Sequence, residues 1–440
     1  MNTGDTAWVL ISTGLVLFMT IGLALFYGGM VNRKHAMSTI LQCISCIGIV
    51  TLVWTLIAFT LAFSQGNSVI GGFSLAALHG ADKATLAGMT GEHALSVPNL
   101  AFFHYHLMFA IITPALAVGS LTGRLKFAGW ALFVAIWAII VYAPVARWLF
   151  SPAGWLSQLG AEDFAGGAVV HTTAGAAALA LLIVIGRRHG WPGPKTALRP
   201  NSLPLVLLGT GILWFGWFGF NAGSALGANE LAVHALVNTQ IAGAAGLVFW
   251  LGTQRVIEGN ISSLGGASGA IAGLACITPA AGYVGPIAAM IIGALAGIVC
   301  FAATRLKYIF RYDDALDVIG VHLIGGMLGM ILLGFFARPE LTGTGSKGLF
   351  FGGGLHLIGS QFLAVVVVFV YAFVLSLILG WIIHKIIGMR VSAEQEERGI
   401  DISELVESAY DSAAADSPVA SPAPTSSHGQ GPTTTSTKLA

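Results

Sequence analysis

Long apolar runs separated by short polar connections recur along the chain. A helix needs ~20 apolar residues to cross the hydrocarbon core of a bilayer. Eleven segments approach or exceed that length: residues 7–30, 38–63, 99–120, 127–149, 164–185, 202–226, 232–253, 261–277, 281–303, 316–336 and 357–387. The eighth, "SSLGGASGAIAGLACI", is the shortest and among the richest in glycine. The polar connections carry an asymmetry of their own. With eleven crossings and the N-terminus outside, fourteen Lys and Arg residues fall in the cytoplasmic loops and flanks, leaving aside the tail's Arg398 and Lys438, and four (Lys83, Arg147, Arg338 and Lys347) on the outer side. Cytoplasmic loops are enriched in Lys and Arg, so the pattern predicts an all-α membrane protein with its N-terminus out and its C-terminus in.

Two of these segments share an internal pattern. The fifth contains Val170-His171, two residues, then Ala174-Gly175; the tenth contains Val321-His322, two residues, then Gly325-Gly326. Five plus five plus one accounts for eleven, and the fifth and tenth segments are equivalent positions of two five-helix halves. An odd number of crossings per half inverts the second, and inverted repeats place their site between the halves near the bilayer midplane. The expected fold is two inverted five-helix repeats followed by a long eleventh helix.

A histidine at that depth is a candidate for function, because intramembrane ionisable groups are costly. Burial disfavours the charged imidazolium. A neutral imidazole has one donor and one acceptor nitrogen. Two of them side by side can share a hydrogen bond and still face a small polar solute, or relay a proton; they do not suit a bare cation. A zinc site would need a third ligand, and the sequence offers none nearby. Asp163 and Asp317 precede the two histidine segments. For Asp317, helix capping or a pair with Arg311 is expected; for Asp163, a bracing role at the outer mouth and a functional one both stand.

A second constellation is aromatic. "GWFGFNAGS" places Phe220 near the end of the sixth segment, with Ser224 one helical turn on. "FFHYHLMFAIITPAL" places Phe109 on the third segment, entering from the same side. Aromatic faces attract cations by ~0.5–2 kcal/mol, and a serine hydroxyl accepts an ammonium N–H.

Composition narrows the class. The chain is 56% hydrophobic and 9% charged, with net charge +1, which leaves no footprint for nucleic acid. Its 58 glycines suit close helix packing in lipid. All four cysteines fall in apolar segments, and no disulfide framework, metal, cofactor or enzymatic activity is implied. The N-terminus lacks the basic start of a signal peptide. Residues 1–390 read as one transmembrane domain, 391–411 as a cytoplasmic regulatory tail and 412–440 as a disordered low-complexity tail. That leaves no room for a separate globular domain.

The stretches "FYGGMVNRK", "FAIITPAL", "DFAGGAVVH", "GWFGFNAGS" and "DVIGVHLIGG" together resemble the ammonium transporter family (Amt, Mep and the related Rhesus proteins), over about residues 7–410. The resemblance implies eleven helices with a pseudo-twofold axis, a homotrimer with one pore per subunit, and a multi-pass location in the cell inner (plasma) membrane. It implies twin pore histidines at His171 and His322, a stacked gate at Phe109 and Phe220, and a pore-lining Trp217. Phe109 and Ser224 would recruit ammonium, with methylammonium as an analogue and Asp163 beneath the vestibule. The family's tail couples subunits and meets PII-type regulatory proteins. Transport of ammonium, deprotonated and conducted as ammonia, is the function implied; an ammonium sensor signalling through a cytoplasmic partner is the alternative.

Three departures stand out. The family's recruitment tryptophan aligns with Phe150, or with Trp148 if the register slips. Its phenylalanine-glutamine before the gate reads Tyr105-His106, and His104 is expected to face lipid headgroups. Its tail motif reads Ser403-Glu404-Leu405-Val406 where Glu-His-Gly is usual.

Overall fold

The computed structural model describes residues 1–193, 199–342 and 344–410; the expected low-complexity tail, 412–440, lies outside them. Among the described residues there is no β-strand, and ten helices are long and apolar enough to cross a membrane. They are α1 (Thr3–Met30), α2 (Arg33–Phe63), α3 (Asn99–Leu121), α4 (Phe127–Gln158, interrupted after Phe150) and α5 (Gly167–Ile185). Then follow α6 (Leu203–Ala225), α7 (Glu230–Glu258), α9 (Pro286–Ile309), α10 (Ile319–Phe336) and α11 (His356–Ile386). Between α7 and α9 lies α8 (Ser263–Ile277), apolar but only 15 residues long. It packs closely on α7: Gly246 and Gly273, on α7 and α8, have no space for a β-carbon against each other's backbone.

The interhelical contacts repeat between the halves. α1 packs along α6; α2 meets α3 and α4 as α7 meets α8 and α9; α3 reaches α5 as α8 reaches α10. α5 and α10 cross at the centre, and the crossing depends on two glycines. A β-carbon on Gly326 would lie 2.6 Å from the Gly167 carbonyl and 2.8 Å from His171 Cβ. One on Gly175 would lie 2.4 Å from Leu323 Cβ. Each glycine stands four residues after its own histidine and receives the opposite helix next to the other one. The shared Val-His-x-x-small-Gly pattern is thus a packing device.

Two faces can be told apart. Asn2, the loop before α3 and the end of α6 lie on one, the N face, where Asn2 N donates to Ser96 O and Ala228 N to Asp5 Oδ1. On the other, the C face, a buried ion cluster joins α3, α5 and the segment before α10. Arg188 donates twice to Asp313, at 2.9 and 2.7 Å, and Arg124 lies 3.5 Å away. Burial pushes the Asp313 carboxyl up, but the two guanidinium groups outweigh it and hold it below the usual carboxylate range.

The tail closes over this face. Residues 393–398 form a short helix, α12 (Ala393–Arg398), opened by a Ser392–Gln395 capping box. Glu396 takes the His189 N–H and pairs with Arg390. Asp401 accepts the N–H groups of Met37 and Ser38 at 3.0 and 2.8 Å, at the start of α2. Ile400 N donates to His35 Nδ1. The α-helical part of α2, which begins at Ala36, therefore borrows its cap from a residue more than 360 positions later.

Candidate functional site

The two histidines sit on matching irregular turns. Gly167–Thr172 and Ile319–Leu323 are single π-helical turns that begin α5 and α10. A π turn inserts one residue into the helix and is common at functional sites. At His171 the widened turn is visible in its N–H, which bonds to Gly166 O, five residues back. The hydroxyls of Thr172 and Thr173 likewise fold back five residues, onto the Gly167 and Ala168 carbonyls. His171 Nδ1 and His322 Nδ1 are 3.2 Å apart, with the rings nearly parallel at 17°. If both rings are neutral, one shared hydrogen fixes the rest. The ring that donates through Nδ1 has a bare Nε2, and the ring that accepts carries its hydrogen on Nε2. The pair then presents one donor and one acceptor. His171 Nε2 is buried and has no partner among the described residues.

Each π turn has an aspartate eight residues before its histidine. Asp163 Oδ1 accepts the N–H groups of Gly166 and Gly167 at 2.8 and 2.6 Å, and Oδ2 those of Ala168 and Val169 at 2.8 and 3.0 Å. A carboxylate on four orphan amides at a helix start satisfies them and faces the positive end of the helix dipole. Burial nonetheless pushes Asp163 above the usual carboxylate range, against the pull of those amides. In the second half the equivalent residue is Asp314. It takes the N–H groups of Val318 and Ile319 at 3.1 and 2.8 Å and the Ser120 hydroxyl at 2.6 Å. Asp317, expected as the cap or as a partner of Arg311, does neither: its Oδ1 pairs with Lys307 Nζ at 2.7 Å, from a left-handed backbone (φ 61°). Reading "DVIGVH" against "DFAGGAVVH" by their first letters hid the match, because the true spacing of eight lies one aspartate upstream.

A narrow cavity runs beside the histidines, bounded by Leu23, Ile112, Leu116, Leu213 and Ile271 as well as Trp217 and Phe220. It is barely wide enough for one water-sized molecule. Trp217 lies flat on His171, with centroids 5.5 Å apart, and its N–H is taken by Thr278 Oγ1 at 2.9 Å. Its ring therefore offers the cavity only an apolar face. Toward the N face, Phe109 and Phe220 stack at 4.2 Å and 23°. Both are buried, and no molecule fits between rings at that spacing.

Above this stack the remaining aromatic residues gather. Phe150 stands edge-on to Phe109 at 6.0 Å and is half-buried. Trp148 points elsewhere: its ring packs on Tyr371 at 4.6 Å and its N–H goes to Val69 O. The geometry thus selects Phe150 as the neighbour of the phenyl stack. The Ser224 hydroxyl lies 2.9 Å from Phe220 O and 3.2 Å from the Tyr105 hydroxyl. Tyr105 is a brace from behind, its hydroxyl reaching the Gly219 and Phe220 carbonyls. His104 is exposed, while His106 is buried against Phe102, Phe63 and Phe150. Asp163 lines, with Glu162 and Phe150, an open cavity that also takes in Glu92 and His93 of the loop before α3. Among the described residues no three His, Cys, Asp or Glu side chains gather as a metal site.

Helices long and apolar enough to span a membrane, crossing around an imidazole pair behind stacked phenyl rings, define a helical membrane protein with a small apolar cavity at its centre. The chain belongs to the Ammonium Transporter Family, which it matches over residues 7–410. It is 45% identical to the "Ammonium transporter" of Mycobacterium tuberculosis (strain ATCC 25618 / H37Rv), covering 95% of this chain and 92% of that one. The fold resembles Mep2 of Saccharomyces cerevisiae with a TM-score of 0.82 at 31% identity, over 90% of this chain and 88% of that one. It resembles a structure described as "Sensor Amt Protein" equally well, at 0.82 and 28% identity, over 91% and 98% of the two chains.

Proposed function

We propose that this chain carries ammonium across the cell's inner (plasma) membrane. Ammonium ion is recruited at the N face by Phe109, Phe150 and Ser224, sheds a proton near the Phe109–Phe220 stack, passes His171, His322 and Trp217 as ammonia, and is reprotonated at the C face. The arrangement has eleven crossings as two inverted five-helix halves plus α11, with the N face outside and residues 391–411 as a cytoplasmic regulatory tail. The observation that carries the reading is the 3.2 Å imidazole pair beside an apolar cavity closed by stacked phenyl rings.

Magnitudes favour ammonia over the ion in such a passage. An isolated ion moved into a low-dielectric interior faces an idealised cost on the order of 20 kcal/mol, and several after relaxation. Removing a proton from an amine with a pKa near 10 at pH 7 takes about three pH units of work, roughly 4 kcal/mol. Deprotonation is the cheaper route wherever the passage is dry. The imidazole pair then supplies one donor and one acceptor to a neutral solute. It also supplies a relay if the released proton crosses separately.

Uptake of radiolabelled methylammonium into proteoliposomes, as a function of pH and imposed voltage, tests the reading. Saturable uptake blocked by ammonium supports it, and voltage dependence separates charge-carrying transport from neutral conduction. Uptake no faster than through protein-free vesicles would reject it. The homotrimer and a PII-type partner on the tail are part of the same proposal. A second reading, a sensor acting through a cytoplasmic partner, is supported by the likeness to the "Sensor Amt Protein" fold. Deleting residues 391–440 tests it: unimpaired uptake with lost signalling would favour the sensor.

A further inference from the structure

His106 is a buried imidazole that the transport scheme does not use. It lies one helical turn before Phe109, with ring centroids 5.9 Å apart, and 5.3 Å from the ring of Phe150. Phe102 and Phe63 cover its other sides at 4.2 and 4.8 Å. Neither ring nitrogen has a hydrogen-bond partner among the described residues, and Nδ1 is fully buried. Leaving a buried polar atom unpaired costs about 1–3 kcal/mol, so an orphan at the edge of a binding site points to a partner that arrives with the ligand.

The site's inventory shows what that partner supplies. An ammonium ion is a tetrahedron of four N–H donors. Phe109 and Phe150 offer two ring faces, and phenylalanine is a weaker cation acceptor than tryptophan. The Ser224 hydroxyl supplies one oxygen, partly engaged with Phe220 O and the Tyr105 hydroxyl. A bare nitrogen on a neutral His106 is the fourth acceptor. We propose that His106 contacts the substrate at the outer site, where an unprotonated ring nitrogen accepts an ammonium N–H and makes the site selective for N–H cations over alkali cations of similar size. This rests on the transport reading above.

Two substitutions separate that role from packing. His106→Phe keeps a ring against Phe63 and Phe102 and removes the acceptor; His106→Gln keeps an acceptor and loses the ring. Currents evoked by ammonium chloride steps are read in proteoliposomes on a solid-supported membrane at fixed pH, with and without competing potassium chloride. His106→Phe is expected to raise half-saturating ammonium about tenfold, the loss of one hydrogen bond to a charged group. Its maximal current should be unchanged and potassium should inhibit it more strongly. His106→Gln should stay within about twofold of the unaltered chain. If the Phe variant does not reconstitute, His106→Leu is judged by the same criterion. An acceptor-free variant with unaltered half-saturation, or a Gln variant as impaired as it, overturns the assignment. If the unaltered chain carries no current, half-saturation is read instead from methylammonium uptake, and uptake no faster than through protein-free vesicles overturns the transport reading.

Discussion

Gly326 packs directly against His171, so closely that a β-carbon on the glycine would sit 2.8 Å from that of the histidine. The position of one imidazole is therefore fixed by the absence of a side chain on the helix bearing the other. Gly326→Ala should force α5 and α10 apart. Overpacking of this kind costs ~1–3 kcal/mol, and a lowered midpoint of thermal unfolding in detergent, with methylammonium uptake reduced at least about tenfold, is the expected result. Wild-type uptake by this variant would mean that the crossing is compliant.

The histidine pair itself yields a sharper outcome. Replacing both His171 and His322 by leucine keeps the cavity apolar and removes its donor and acceptor. If the imidazoles relay the proton, ammonium-evoked charge movement should fall to that of protein-free liposomes. Charge movement that persists in the double variant excludes them from the relay.

Asp163 and Asp314 are expected to behave alike despite lying in different halves. Asp163→Ala strands four amides and Asp314→Ala two amides and a hydroxyl. Each unsatisfied buried group costs about 1–3 kcal/mol, so both variants should unfold at lower temperature, with a loss of ~3 kcal/mol or more. Asp317→Ala should be milder, since it removes one partly exposed ion pair. Equal loss from Asp317→Ala would contradict the assignment of the second cap to Asp314.

A pH dependence follows at Asp317. Burial pushes its carboxyl up to about 6, the Lys307 ammonium pulls it down and the Asp314 carboxylate adds to the rise. A folded value above the usual 3.8 means that the folded chain holds the proton more readily than the unfolded one. This residue's contribution to stability is complete below about pH 4 and is lost as pH rises through about 6. Thermal unfolding followed from pH 4 to 7 should show a shallower decline for Asp317→Asn than for the unaltered chain. Parallel profiles would rule out the residue as the titrating group.

The tail offers a local test. Asp401→Ala leaves the Met37 and Ser38 amides without acceptors, and loss of an N-cap costs about 1 kcal/mol. Hydrogen exchange should accelerate at the start of α2 and around Ile400, while the α5–α10 crossing stays protected. Unchanged exchange at Met37 and Ser38 would show that another group caps them.

Much of this architecture could be read from residues alone, because lipid enforces it. Continuous apolar runs predicted eleven spans; ten correspond to helices long and apolar enough to cross a membrane, and the weakest, the glycine-rich 261–277 segment, is the 15-residue α8. The repeated Val-His pattern located the imidazole pair, since a polar group at that depth has few innocent roles. What escaped was what depends on partners distant in sequence. Nothing near Arg124 announces that it will share Asp313 with Arg188, and nothing near Trp217 indicates that Thr278 will take its N–H. Asp314 was within reach, by counting back eight from each histidine, but Asp317 stood closer and resembled a cap. Phe150 and Trp148 differ by two positions, and only the helix rotation puts Phe150 beside the phenyl stack and Trp148 against Tyr371.

The π turns carry a consequence for how this protein tolerates change. Each histidine points inward because its turn holds one residue more than an ordinary helix. Deleting a single residue between Gly167 and His171 would swing the imidazole by about 100° and leave the composition almost untouched. No exchange of one side chain for another could undo that rotation. Insertions and deletions in these two short stretches should accordingly be far more damaging than substitutions, a hierarchy that a scan of single-residue deletions along α5 and α10 would expose.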